Sequence, residues 1–195
     1  MDIELSDKAR EIVACAKALL AVGGYHSFSY ADISDTVKIS KPSIHHHFPS
    51  KAELVETVVA VYREETRAGL AQLERHVSGP LEQLQGYTNF WAKCVRDRDT
   101  SFCVCAMLAA EMPTLPSQVA TEVRGHFADV SEWLASVLSR GAAEGVFVLK
   151  GSPRTEALAL LASVHGAMLS ARAHDEPDLF AEILQPVLRR LTLAA

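Results

Sequence analysis

The chain has 195 residues, 49% of them hydrophobic, and a net charge of −5. That length allows one large or two small domains with an ample core, and no run of about 20 uncharged apolar residues exists to span a bilayer. Asp2 and Glu4 do not fit the start of a secretory signal, so a cytoplasmic location is expected, and there Cys15, Cys94, Cys103 and Cys105 are not a disulfide framework.

The first helix is predicted over residues 6–22, where Ile12, Ala16, Leu19 and Leu20 keep a helical stripe and Gly23-Gly24 ends it. Ser29 is a good N-cap, and Asp32 three residues later adds a capping signal. Ile33 and Val37 then give this short helix one apolar face, and Ile39 lies in the turn that follows. Ser40 caps a second short helix with Pro42 in its first turn, where proline is tolerated. Its Ile44 and Phe48 face inward, which leaves Lys41, Ser43, His45, His46 and His47 to the outer faces. Two short helices at a steep angle, the second polar and basic outside, read as a helix-turn-helix. The net negative charge does not conflict with this, because phosphate contact is local and Lys38, Lys41 and Lys51 cluster around the second helix.

Ser50 and Glu53 form an S-x-x-E box that opens a long helix over residues 51–77, a candidate rigid lever. Ser78-Gly79-Pro80 breaks it, and helix resumes over 81–95. Residues 96–101 read as a charged loop, 102–111 as a short helix stopped near Met112-Pro113, and 117–144 as another long helix ended by Gly145. An exposed connector, VFVLKGSP, follows. Ser152-Pro153 opens a helix to about residue 173 that is rich in alanine, serine and glycine, which lets neighbouring helices approach closely. The last helix starts after Pro177 and contains Pro186, where a kink is expected. No strand pattern stands out. The predicted architecture is all-α, with nine or ten helices: a three-helix DNA-binding domain at 1–50 and a helical domain at 51–195.

Gly24, Tyr25, Ser29, Asp32, Ile33, Ile39, Ser40, Pro42, Ser43, Ile44, His47, Phe48, Ser50, Lys51 and Leu54 stand at one fixed spacing. At that spacing, residues 8 to 58 closely resemble the DNA-binding domain of TetR-type bacterial repressors. Two positions depart from the pattern: Lys38 replaces the usual turn glycine and His45 the usual tyrosine. The resemblance implies DNA contacts from Ser29, Tyr30, Lys38, Ser40, Lys41, Pro42, Ser43, His45, His46 and Lys51, with Lys41 and Lys51 on phosphate. It places His47 against the first helix. It also implies a homodimer through the last two helices, for which Leu158, Ala162, Gly166, Leu169, Ile183 and Val187 are the candidates. The alternative is that these two helices close a monomeric core.

His45-His46-His47 is not expected to hold a metal, because neighbours on a helix point in different directions, and no cofactor is expected. Tyr87, Phe90, Trp91, Met107, Met112, Phe127, Trp133, His165 and Met168 are candidate contacts for an apolar or aromatic small molecule, and the alternative is ordinary core packing. Cys103 joins them: the run 102–111 resembles a helix start found in a branch of the family, some of whose members sense oxidants or electrophiles through this thiol. Here Phe102 replaces the usual glycine. No G-x-S-x-G, H-E-x-x-H, P-loop or dinucleotide motif is present, so no enzyme is expected. The reading is a DNA-binding repressor released from its operator by a small ligand. One alternative is control by oxidation or modification of Cys103 and Cys105, and another is a helical interaction protein without specific DNA binding.

Overall fold

The computed structural model describes residues 4–97 and 102–192, so most of the charged stretch at 96–101 lies outside the described residues. Nine α-helices run among them: α1 Asp7–Gly23, α2 Tyr30–Val37, α3 Lys41–His47, α4 Lys51–His76, α5 Pro80–Asp97, α6 Val104–Ala109, α7 Ser117–Ala143, α8 Pro153–His174 and α9 Leu179–Leu191. Single 3-10 turns form at Tyr25–Ser27 and Met112–Thr114. Among the described residues there is no strand, and no helix is long and apolar enough to cross a membrane.

Side-chain caps set most of the starts. Ser6 accepts from Ala9 N, Ser40 from Ser43 N and Ser152 from Thr155 N, each satisfying an amide that has no partner within its helix. α2 opens with a full capping box: Ala31 N donates to Ser29 Oγ, and Ser29 N donates to Asp32 Oδ2 at 2.7 Å. The Ser29 amide and hydroxyl, both donating to Asp32 Oδ2, hold that carboxyl below its usual pKa. Ser50 and Glu53 form the corresponding pair at α4, with Glu53 N 3.2 Å from Ser50 Oγ. Pro186 lies inside α9.

The chain forms two compact units. The first combines Met1–Thr66 with Ser101–Phe127, and the second combines Arg67–Thr100 with Ala128–Ala195. Compactness thus groups α6 with the N-terminal helices, beyond the 1–50 segment marked out in the sequence. The core of the first unit is Ile12, Ala16 and Leu20 of α1, Ile33, Ile44, and Leu54, Val55 and Val58 of α4, all with no measurable exposure. Arg63 Nη1 meets Glu122 Oε2 at 2.7 Å within this unit. In the second unit Leu84, Leu134, Leu138, Leu160, Val164 and Phe180 are buried, α8 packs along α9, and Arg67 Nε reaches Asp129 Oδ2 at 2.9 Å.

The connector between α7 and α8 corrects one expectation. It is not exposed throughout: Phe147 is buried against Gly141, whose missing side chain leaves the room the ring occupies. Phe147 also forms an antiparallel bridge with Thr192, and Val148 N donates to Leu191 O at 2.8 Å. A single aromatic residue, with a glycine six residues behind it, is enough to tie the connector down.

Candidate nucleic-acid interface

The turn between α2 and α3 is held from inside. Ser34 Oγ donates to Ile39 O at 2.6 Å, and the Tyr30 hydroxyl donates to Phe48 O at 2.8 Å, tying the start of α2 to the end of α3. Tyr30 is therefore mostly buried, and its ring packs 4.7 Å from His45. His45 Nδ1 donates to Pro49 O at 3.2 Å. Lys38 ends α2 at φ 57° and ψ 45°, a left-handed conformation that favours glycine. Ser29, Lys38, Ser40, Lys41, Pro42, His45 and His46 are exposed, and Ser43 is half-buried. Lys38 and Lys41 make no ion pair among the described residues. His47 is half-buried, with its ring 5.6 Å from that of His46.

Lys51 departs from the expected placement. Its ammonium donates to Phe28 O and lies 4.1 Å from the Phe28 ring centre and 4.8 Å from that of Tyr25. Burial lowers its pKa, while the Glu111 and Asp32 carboxylates act in the other direction. The side chain is a brace beneath the start of α2 before it is anything else.

The N-terminal part, residues 12–58, matches the family model of bacterial regulatory proteins of the tetR family, and residues 80–187 match that of the tetracyclin repressor-like C-terminal domain. A TetR-family transcriptional regulator from Agrobacterium tumefaciens is 53% identical, covering 95% of this chain and 97% of that one, with a TM-score of 0.93. The chain belongs to the TetR family. It is also 29% identical over 137 residues to the HTH-type transcriptional regulator CymR of Pseudomonas putida, and 25% identical over 137 residues to the HTH-type transcriptional repressor KstR2 of Mycolicibacterium smegmatis. These alignments cover 67% and 70% of this chain and 66% of each relative, just under two thirds of their length.

In this TetR-family regulator the candidate effector contacts divide between the two units. In the first, Met107, Met112 and Phe127 are half-buried, and Cys103 is the N-cap residue of α6 with only 1% exposure. The Tyr62 hydroxyl donates to Cys103 Sγ at 3.5 Å, and His126 Nε2 lies 4.0 Å from it. Burial raises the pKa of both Cys103 and Cys105. A thiol that stays protonated and shielded is the reverse of what oxidant sensing needs. In the second unit Tyr87 and Trp133 pack with ring centres 5.7 Å apart, and Trp91 and Met168 are buried. The indole nitrogens of Trp91 and Trp133 are buried without a hydrogen-bond partner among the described residues. His165 is pushed down to a pKa of about 4 by burial and is neutral at physiological pH.

Phe90 does not join this cluster. It is 56% exposed and meets Trp91 edge-on at 5.1 Å. The buried stripe of α5 is Gln83, Leu84, Tyr87, Thr88, Trp91 and Cys94, and at about 100° per residue Phe90 falls just past its edge.

On α8 of this TetR-family regulator, Leu158, Ala162, Gly166 and Leu169 are exposed and lie four, four and three residues apart, on one face. Leu158 and Leu169 are 46% and 53% exposed, and space is open where a Gly166 side chain would begin. Ile183 and Val187 of α9 are half-buried.

Three residues of the first unit escaped sequence reading. Tyr62 was within reach, since it continues the Leu54 and Val58 stripe at the next helical interval. His126 and Glu111 gave no local signal, because each acts on a partner far away in the chain.

Proposed function

We propose that this chain is a cytoplasmic transcriptional repressor that binds operator DNA as a homodimer and releases it when a small apolar or aromatic molecule binds. The observation that carries the reading is the outer surface of α3. A helix of seven residues, capped by Ser40, presents Lys41, His45 and His46 to solvent, with Lys38 close by in the preceding turn. Such a helix fits the major groove: the histidines and Ser43 are placed for base edges, and the lysines for phosphate. The relatives named as regulator and repressor support repression.

Dimerisation is assigned to the exposed face of α8 together with α9, where small residues let a second copy approach closely. Effector binding is assigned to the aromatic and sulfur side chains of the second unit, with Trp91, Trp133 and His165 as its polar points. No catalytic residues are assigned.

The test is a fluorescence-anisotropy titration of DNA from upstream of the gene against random DNA, over a range of salt concentrations. Preference for the upstream DNA with a steep salt slope supports the reading. Equal, weak binding to both would leave a helical interaction protein as the better description.

A further inference from the structure

We infer that Glu111, which lies beyond the matched N-terminal family segment, is a positioning residue for DNA binding: its carboxylate caps the turn that leads into the helix-turn-helix and sets where α2 begins. The inference rests on the DNA-binding reading above.

The 3-10 turn Tyr25–Ser27 has Gly24 in its N-cap position, and glycine has no side chain with which to cap. The missing acceptor comes from 86 residues away, where Glu111 Oε2 accepts from Tyr25 N at 2.6 Å. Gly24 makes room for it. A Cβ there would lie 2.5 Å from Glu111 Oε2, and its φ of 80° already disfavours any other residue. A second bond runs in parallel, His26 Nε2 with Thr114 Oγ1 at 3.3 Å. The segment after α6 is thereby fastened to the turn after α1 at two neighbouring residues.

From Tyr25 the connection continues to the DNA-facing helices. The Tyr25 ring lies 4.8 Å from Lys51 Nζ, and the same ammonium donates to Phe28 O. Phe28 is the residue before the Ser29 cap of α2. Tyr30 then joins α2 to the end of α3 through Phe48 O. Every link is within the first unit, and the chain runs carboxylate, amide, ring, ammonium, carbonyl, helix cap. Withdrawing the carboxylate removes the only side-chain acceptor of Tyr25 N among the described residues and an attractive charge from Lys51, the two groups that fix the entrance of α2. No cation is removed, and Lys38 and Lys41 beside α3 keep their exposed places. The effect on DNA should therefore appear in affinity and sequence preference, not in the number of counterions released.

The experiment compares wild type, Glu111→Ala and Glu111→Gln by anisotropy on the upstream DNA across salt concentrations, with amide hydrogen exchange of the free proteins. Glu111→Ala should weaken specific binding about tenfold at an unchanged salt slope, and exchange at Tyr25 to Ser27 should accelerate while α7 and α8 keep their protection. Glu111→Gln retains an acceptor and should recover part of the affinity. Should the alanine variant lose its fold, the glutamine variant and its exchange pattern carry the test. If wild type binds specifically and both variants bind equally well, the inference is overturned. It is also overturned if affinity falls only in step with the folded fraction measured by circular dichroism. If wild type itself shows no specific binding, the DNA-binding reading fails instead, and the exchange data still report whether the cap exists.

Discussion

Lys38 tests whether the turn of the helix-turn-helix trades stability for charge. Its backbone is left-handed at φ 57°, and for an L-residue with a side chain that conformation is unfavourable by about 1–2 kcal/mol. Lys38→Gly removes this strain but gives the unfolded chain extra freedom, which offsets about 0.4–1 kcal/mol of the gain. The net expectation is stabilisation by about 1 kcal/mol, or a rise in Tm of about 2–4 °C for a chain of this length. Lys38→Ala is the control, because it removes the same charge and keeps the left-handed strain. The measurement is thermal unfolding by circular dichroism at one fixed protein concentration, because association makes Tm depend on concentration. DNA affinity should fall in both variants, with the salt slope falling by about 0.9 for each phosphate that is no longer neutralised. Equal melting temperatures for the glycine and alanine variants would refute the strain argument. An unchanged salt slope would remove Lys38 from the DNA-binding surface.

Lys41→Ala should weaken binding to all sequences alike and lower the salt slope by about one unit, as measured in the same titrations. Ala162→Arg should place a charge on the exposed face of α8 where close approach is needed, so sedimentation should show monomer and DNA affinity should fall with it. A dimeric, folded variant would move the interface elsewhere. His165 contributes a pH term of definite sign: its folded pKa of about 4 is below the ordinary 6.5, so the unfolded chain takes up the proton first and stability falls as pH drops from 6.5 toward 4. The full contribution is about 3 kcal/mol at most, and urea unfolding of His165→Leu at several pH values should show a correspondingly flatter loss.

Most of the framework was legible because it is local. Ser29 with Asp32, Ser40 with Pro42, Ser50 with Glu53, and Ser152 with Pro153 each mark a helix start within four residues, and each cap forms where its spacing implies. What was hidden depends on partners distant in sequence. Cys103 looked like an activated thiol at a helix start, but Tyr62 and His126 come from α4 and α7 to enclose it. Nothing near Lys51 in the sequence announces that its ammonium donates to Phe28 O, 23 residues earlier. Phe90 was misplaced by a few tens of degrees around α5, an error that periodicity alone does not resolve.

The tether at the end of α9 bears on how this protein can be handled. Val148 N–H has its acceptor in Leu191 O, and Phe147 has its bridge partner in Thr192. A deletion that starts before Leu191 therefore does more than shorten a terminal helix, because it unpins the link between α7 and α8. Affinity tags belong at the amino terminus or beyond residue 192. The link itself is a poor place for a peptide insertion or an engineered protease site, although its glycines and charges would ordinarily recommend it.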